Sequence, residues 1–195
     1  MLKLVTAVSL SSLFFVGSAQ ALTTYDEGVD GDLSSDPAAP TAVAFAVGSN
    51  VVTGTTTTSA PADTRDYLTF TIAAGQALTS IMLDAYAPAD TTFQALAPGA
   101  TSFIPSGGTS GSFLGSSHVN GGLVGTDILD NMAALPFGGI GFAAPLGPGT
   151  YTYLIQQTGP EVTAYSLDFQ IVPEPGTAYT LSLHDALPIY RKSVV

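Results

Sequence analysis

Carboxylates crowd one short stretch near the start of this chain, where residues 26–36 read Asp-Glu-Gly-Val-Asp-Gly-Asp-Leu-Ser-Ser-Asp. Hard oxygen ligands at such close spacing are what calcium takes. Asp26, Glu27, Asp30 and Asp32 are therefore the candidate calcium ligands, and calcium is the candidate cofactor. The stretch departs from the helix-loop-helix calcium template, because Ser35 stands where that loop needs glycine. The plainer reading is a solvated acidic turn whose carboxylates cap backbone amides.

Other residues able to do chemistry are few. Tyr86, Tyr151 and Tyr153 would serve as a glycan-stacking platform if exposed together, although aromatics on strands more commonly pack in the core or against cross-strand partners. His118 is the only histidine between Leu22 and Ala178, and its neighbours Ser116, Ser117, Asn120 and Gly121 mark an exposed loop. No Gly-x-Ser-x-Gly elbow surrounds a serine, so a hydrolase nucleophile is missing its usual frame. Asp84, Asp127 and Asp130 would need the fold to pair them for acid–base work, and spacing alone does not do so. No catalytic residue is assigned, and the expected reading is non-enzymatic.

Composition narrows the partners. The 195-residue chain carries a formal net charge of -11, and Arg65 is the only basic residue between Leu22 and Ala178. Such a surface repels nucleic-acid phosphates and anionic headgroups. Cysteine is absent, so the fold rests on its apolar core without disulfides. Hydrophobic residues make up 46% against 10% charged, the reverse of the balance that keeps chains disordered.

The elements that must hold these residues show period-two alternation. Leu68, Phe70 and Ile72 share one face with Thr69 and Thr71 opposite, and Tyr165, Leu167, Phe169 and Ile171 repeat the pattern with Ser166, Asp168 and Gln170 opposite. The spacing predicts burial of the apolar set and exposure of Thr69, Thr71, Asp168 and Gln170. Tyr151, Tyr153 and Ile155 follow the turn-forming Gly147-Pro148-Gly149, and Ile81, Leu83 and Ala85 suggest another strand. Shorter candidates lie at 43–47, 51–53 and 92–96, and residues 126–134 suit a short helix with Asp127 and Asp130 near its start. Short strands separated by Gly, Pro, Asn and Asp turns predict an all-β fold, an antiparallel β-sandwich.

Two family resemblances sit on these residues. The run Asp66-Tyr67-Leu68-Thr69-Phe70-Thr71-Ile72-Ala73-Ala74-Gly75-Gln76-Ala77-Leu78, with the later Gly149-Thr150-Tyr151-Thr152-Tyr153, is similar to bacterial pre-peptidase C-terminal domains. That resemblance implies a small secreted jelly-roll-like sandwich over residues 40–172, in which Asp66 sets a turn and Gly75 permits the next. The long Gly/Ser-rich stretch 98–125 departs from it and reads as a loop or added hairpin. Val172-Pro173-Glu174-Pro175-Gly176-Thr177-Ala178 resembles the opening of a PEP-CTERM sorting signal, with Pro173, Glu174 and Pro175 as its motif. The resemblance implies an exosortase-type processing enzyme as partner, and an apolar membrane helix with a basic cluster beyond the motif. Both of those are missing from this chain.

The termini complete the expected organisation. Residues 1–21 have the basic start, short apolar core and Ala19-Gln20-Ala21 site of a secretory signal peptide, so a mature chain is expected to begin at Leu22. Residues 179–189 look like the translation of a short-read sequencing adapter, and 191–195 look like its reverse complement. His184, Asp185, Arg191 and Lys192 therefore carry no functional weight. The expected order is signal peptide 1–21, acidic segment 22–39, sandwich 40–172, truncated sorting motif 173–178 and adapter-derived residues 179–195. The expected function is a secreted, non-enzymatic protein of the cell envelope or extracellular polysaccharide matrix of a Gram-negative bacterium, the alternative being a cell-surface carbohydrate-binding module.

Overall fold

The computed structural model describes residues 23–87, 90–101, 113–134 and 139–174. The expected signal peptide, the adapter-like residues 179–195 and Pro175 lie outside the described residues. In chain order the elements are β1 (Thr23–Asp26), α1 (Glu27–Asp30), β2 (Thr41–Ala42), β3 (Gly48–Thr57), β4 (Arg65–Ile72), β5 (Gln76–Ala87), β6 (Thr91–Pro98), β7 (Gly115–Asn120), α2 (Ile128–Ala134), β8 (Gly149–Gln157) and β9 (Val162–Pro173). The strands make an all-β sandwich of two sheets, ordered β1-β3-β9-β5 and β2-β4-β8-β6-β7.

From β3 to β6 each successive strand crosses to the other sheet, β6 and β7 form an antiparallel pair within one sheet, and β8 crosses to β9. This is jelly-roll-like order. The place beside β5 is taken by residues 124–127, where Leu83 N donates to Thr126 O at 3.1 Å and Gly125 N to Leu83 O at 2.8 Å. The expectation of purely antiparallel sheets is corrected at two edges, since β1 pairs with β3 and β2 with β4 in parallel. Parallel neighbours need a long connection rather than a tight turn. Both pairs have one, through α1 and β2 in the first case and through β3 in the second.

The alternation in β4 is expressed as read. Leu68, Phe70 and Ile72 are buried, Thr71 is exposed, and half-buried Thr69 donates its hydroxyl to Tyr151 O at 3.0 Å. Tyr165, Leu167, Phe169 and Ile171 of β9 meet them across the core. Phe45, Phe70 and Phe169 form an aromatic knot with centroids 4.9 to 5.6 Å apart. Gly75, at φ 74°, takes the left-handed turn between β4 and β5 that other residues resist.

Three expectations change. Asp168 is buried rather than exposed, because β9 lies between β3 and β5 and its carboxylate is satisfied by Asn50 N at 3.0 Å and Gln170 Nε2 at 2.6 Å. Residues 43–47 are not a strand: β2 ends at Ala42, Val43 N gives the last bond to Thr69 O at 2.9 Å, and Asn50 ties the stretch down through its side-chain amide to Ala46 O at 2.8 Å. Residues 23–39 of the acidic segment are built into the sandwich, with β1 in a sheet, Leu33 only 1% exposed in the core and Ser34 bridged to Tyr67. In the 98–125 stretch, β7 is the added strand, and residues 102–112 lie outside the described residues.

Candidate functional site

The acidic segment divides its carboxylates between two tasks. Asp26 caps α1 by accepting from Gly28 N at 2.9 Å, while Asp30 Oδ2 accepts from Asp26 N at 2.9 Å. These two carboxylates hold the turn together, as N-terminal caps do. Glu27 and Asp32 line an open cleft of about 480 Å³, whose lining also includes Asp26, Thr53, Thr55 and Tyr165.

A third carboxylate reaches them from the other sheet. Asp66 has the same strand parity as Leu68, Phe70 and Ile72, so its side chain enters the layer between the sheets, and it is 0% exposed. The expectation that Asp66 sets a turn is thereby corrected. One carboxylate oxygen each from Glu27, Asp32 and Asp66 lies within 4.8 Å of the others.

Hydrogen bonds fix this group from both sides. Tyr165, on the core face of β9, donates its hydroxyl to Asp66 Oδ2 at 2.7 Å, and the same hydroxyl lies 3.3 Å from Glu27 Oε1. Glu27 Oε2 accepts from Thr55 N at 2.7 Å, and its Oε1 from Leu33 N at 3.3 Å. Gly54 makes the approach possible, since a Cβ there would overlap the Tyr165 hydroxyl and the Glu27 carboxylate. Burial pushes the Asp66 carboxyl up to about 9, helped by repulsion from Glu27 and opposed by the Tyr165 bond. Burial also raises Glu27 to about 7, against two backbone donors. Such a group has two chemical options: hold protons, or hold a cation that replaces them.

Of the four expected calcium ligands, two fall in this cluster and two do not. Asp26 and Asp30 are structural caps, Glu27 and Asp32 belong to the cluster, and Asp66 joins them. Asp66 and Tyr165 were missed because Asp reads as a turn former and Tyr as core; the signal able to find Asp66 was its parity with Leu68.

The remaining candidates are scattered. Tyr153 is fully buried with its hydroxyl on Gln94 Oε1 at 2.6 Å, Tyr86 is 8% exposed, and Tyr151 packs on the core with its hydroxyl on Gly147 O at 3.0 Å. The expected glycan platform is corrected accordingly, because alternation that builds a core turns these rings inward. His118 sits on β7 rather than in a loop, exposed, with its ring 5.7 Å from that of Phe93. Asp127 caps α2 through Leu129 N at 2.9 Å and also accepts from Ile81 N at 3.0 Å, whereas Asp84 and Asp130 are exposed. Pro173 ends β9 exposed, and Glu174 N donates to Gly75 O at 2.8 Å. Among the described residues no helix is long and apolar enough to cross a membrane. No family model matches this chain, and no curated protein matches it.

Proposed function

We propose that the protein is an exported, non-enzymatic β-sandwich of the cell envelope or an extracellular polysaccharide matrix in a Gram-negative bacterium, sorted through Pro173, Glu174 and Pro175 by an exosortase-type enzyme. The body is the jelly-roll-like sandwich implied by the resemblance to pre-peptidase C-terminal domains. One structural observation supports the reading. The sorting motif begins on the last residue of β9, a strand paired with β3 on one side and β5 on the other. A tail leaving from a central strand transmits tension into two hydrogen-bonded ladders at once. Pro173 ends the strand, having no N–H to offer, and Glu174 N makes one last bond to Gly75 O at 2.8 Å. The strongly acidic surface suits a soluble extracellular body and disfavours nucleic-acid binding.

The test uses the locus resequenced past Ala178 and expressed in a host with an exosortase. With Pro173, Glu174 and Pro175 replaced by alanine, processing at the motif should be lost and the unprocessed form should accumulate. Equal processing of both forms would contradict the sorting reading. So would a natural gene that ends shortly after Ala178 with no apolar span.

A further inference from the structure

Glu27, Asp32 and Asp66 bring three carboxyl groups together at one end of the sandwich. The groups acting on Glu27 and Asp66 are other acids and hydrogen-bond donors, with no Lys, Arg or His among them. Clustered acids alone would carry nothing, since carboxylates often share a surface. Asp66 supplies an independent observation: it is fully buried, and its Oδ1 meets no donor although Oδ2 takes the Tyr165 hydroxyl. A buried acceptor left open is rare and asks for a partner. Space for one adjoins the cluster in the cleft lined by Glu27 and Asp32, which opens to solvent, while Gly54 lets Glu27 and the Tyr165 hydroxyl pack against β3.

We propose that Glu27, Asp32 and Asp66 hold one divalent cation of the calcium class, which staples the N-terminal segment 23–33 to both sheets. Glu27 comes from α1 and Asp32 from the turn after it, while Asp66 comes from β4 and the neighbouring Thr55 from β3. A cation bound there ties the segment to one sheet through Asp66 and to the other through the Glu27–Thr55 bond. All the ligands are hard oxygens, and the open side of the cleft leaves positions for water. Calcium accepts such a flexible, mixed shell, whereas magnesium demands near-ideal octahedral geometry. The site is independent of the sorting motif at the far end of β9, so either reading can fail without the other.

The full chain, stripped with EDTA, should be titrated with calcium chloride by calorimetry at about pH 8, where fewer protons compete with the cation for the carboxylates than at neutral pH. One saturable site per chain is expected, together with a melting temperature that rises with calcium concentration by mass action. Asp66→Asn keeps an acceptor for Tyr165 and should bind at least about tenfold more weakly, as should Glu27→Gln. Asp36→Asn changes a carboxylate of the same stretch that only caps Ala38 N, at 2.8 Å, and should keep the parental affinity. If Asp66→Asn does not fold, the affinity of Glu27→Gln decides the matter. The proposal is overturned by no saturable binding up to about 10 mM calcium. It is equally overturned by unchanged affinity in Glu27→Gln, or by an equal loss in Asp36→Asn that marks diffuse acidic attraction.

Discussion

The two ends of one face of β4 differ sharply. Phe70 lies 2% exposed among rings, with Phe45 at 4.9 Å and Phe169 at 5.6 Å between centroids. Asp66, two alternations earlier on the same face, is just as buried but looks at Tyr165 and Glu27. Strand parity decides which side chains go inside, whatever they are. Chemistry then decides the cost. At the Phe70 end burial itself stabilises, through apolar area removed from water and ring packing. At the Asp66 end burial disfavours the charged carboxylate, so that end holds together only with a proton, a hydroxyl or a cation supplied.

The largest effect is expected at the apolar end. Phe70→Ala should cost about 3–5 kcal/mol in denaturant unfolding, through lost transfer energy and the cavity left behind. A loss under about 1 kcal/mol would place the ring at the periphery and remove the contrast. At the acidic end the corresponding lesion is one of crowding. Gly54→Ala should cost about 1–3 kcal/mol, because the added methyl pushes Glu27 and Tyr165 apart. The same variant should weaken calcium binding, which a simple core defect at Phe70 should not do.

Changing pH separates the two ends further. An ordinary carboxylate titrates near about 4, so Glu27 at about 7 and Asp66 at about 9 hold protons in the folded state that the unfolded chain has lost. Their contribution is fully present below the ordinary value and is lost as pH rises through about 7 and about 9. In EDTA, urea melts should therefore show this contribution falling from mildly acidic to alkaline pH. Asp66→Asn should show a shallower decline than the parent, and Phe70→Ala the same slope from a lower start. Parallel slopes in parent and Asp66→Asn would mean that Asp66 is not held as described. The smallest effect belongs to the outer face of β4, where Thr71→Ala removes only an exposed hydroxyl contact with Thr150 and should stay within about 0.5 kcal/mol.

The legible part of the fold was its short-range periodicity. Leu68, Phe70 and Ile72 announced their strand because alternation is local, and a short helix over 126–134, with Asp127 and Asp130 near its start, was readable in the same local way. The partnership of strands was not. Nothing local in Thr23–Asp26 says that it will run parallel to β3, or that Leu33 will fill the core, because both follow from long-range packing. Asp168 misled in the same way, its burial depending on a central position and a donor from Asn50 far away in sequence. The candidate site was half legible. Density of acids pointed to Glu27 and Asp32, but it equally pointed to Asp26 and Asp30, which spend their carboxylates on backbone amides. Asp66 was hidden by its residue type: extending the parity of Leu68 back by one step would have put it inside.

The most direct measurement is a crystal structure of the full chain grown with calcium and refined with anomalous data. Asp66 should be turned into the inter-sheet layer with its Tyr165 bond retained, and one anomalous peak should lie about 2.3–2.6 Å from oxygens of Glu27, Asp32 and Asp66. A solvent-facing Asp66 would contradict the register of β4 at its acidic end, and an inward Asp66 with no ion among the three carboxylates would contradict the cation site.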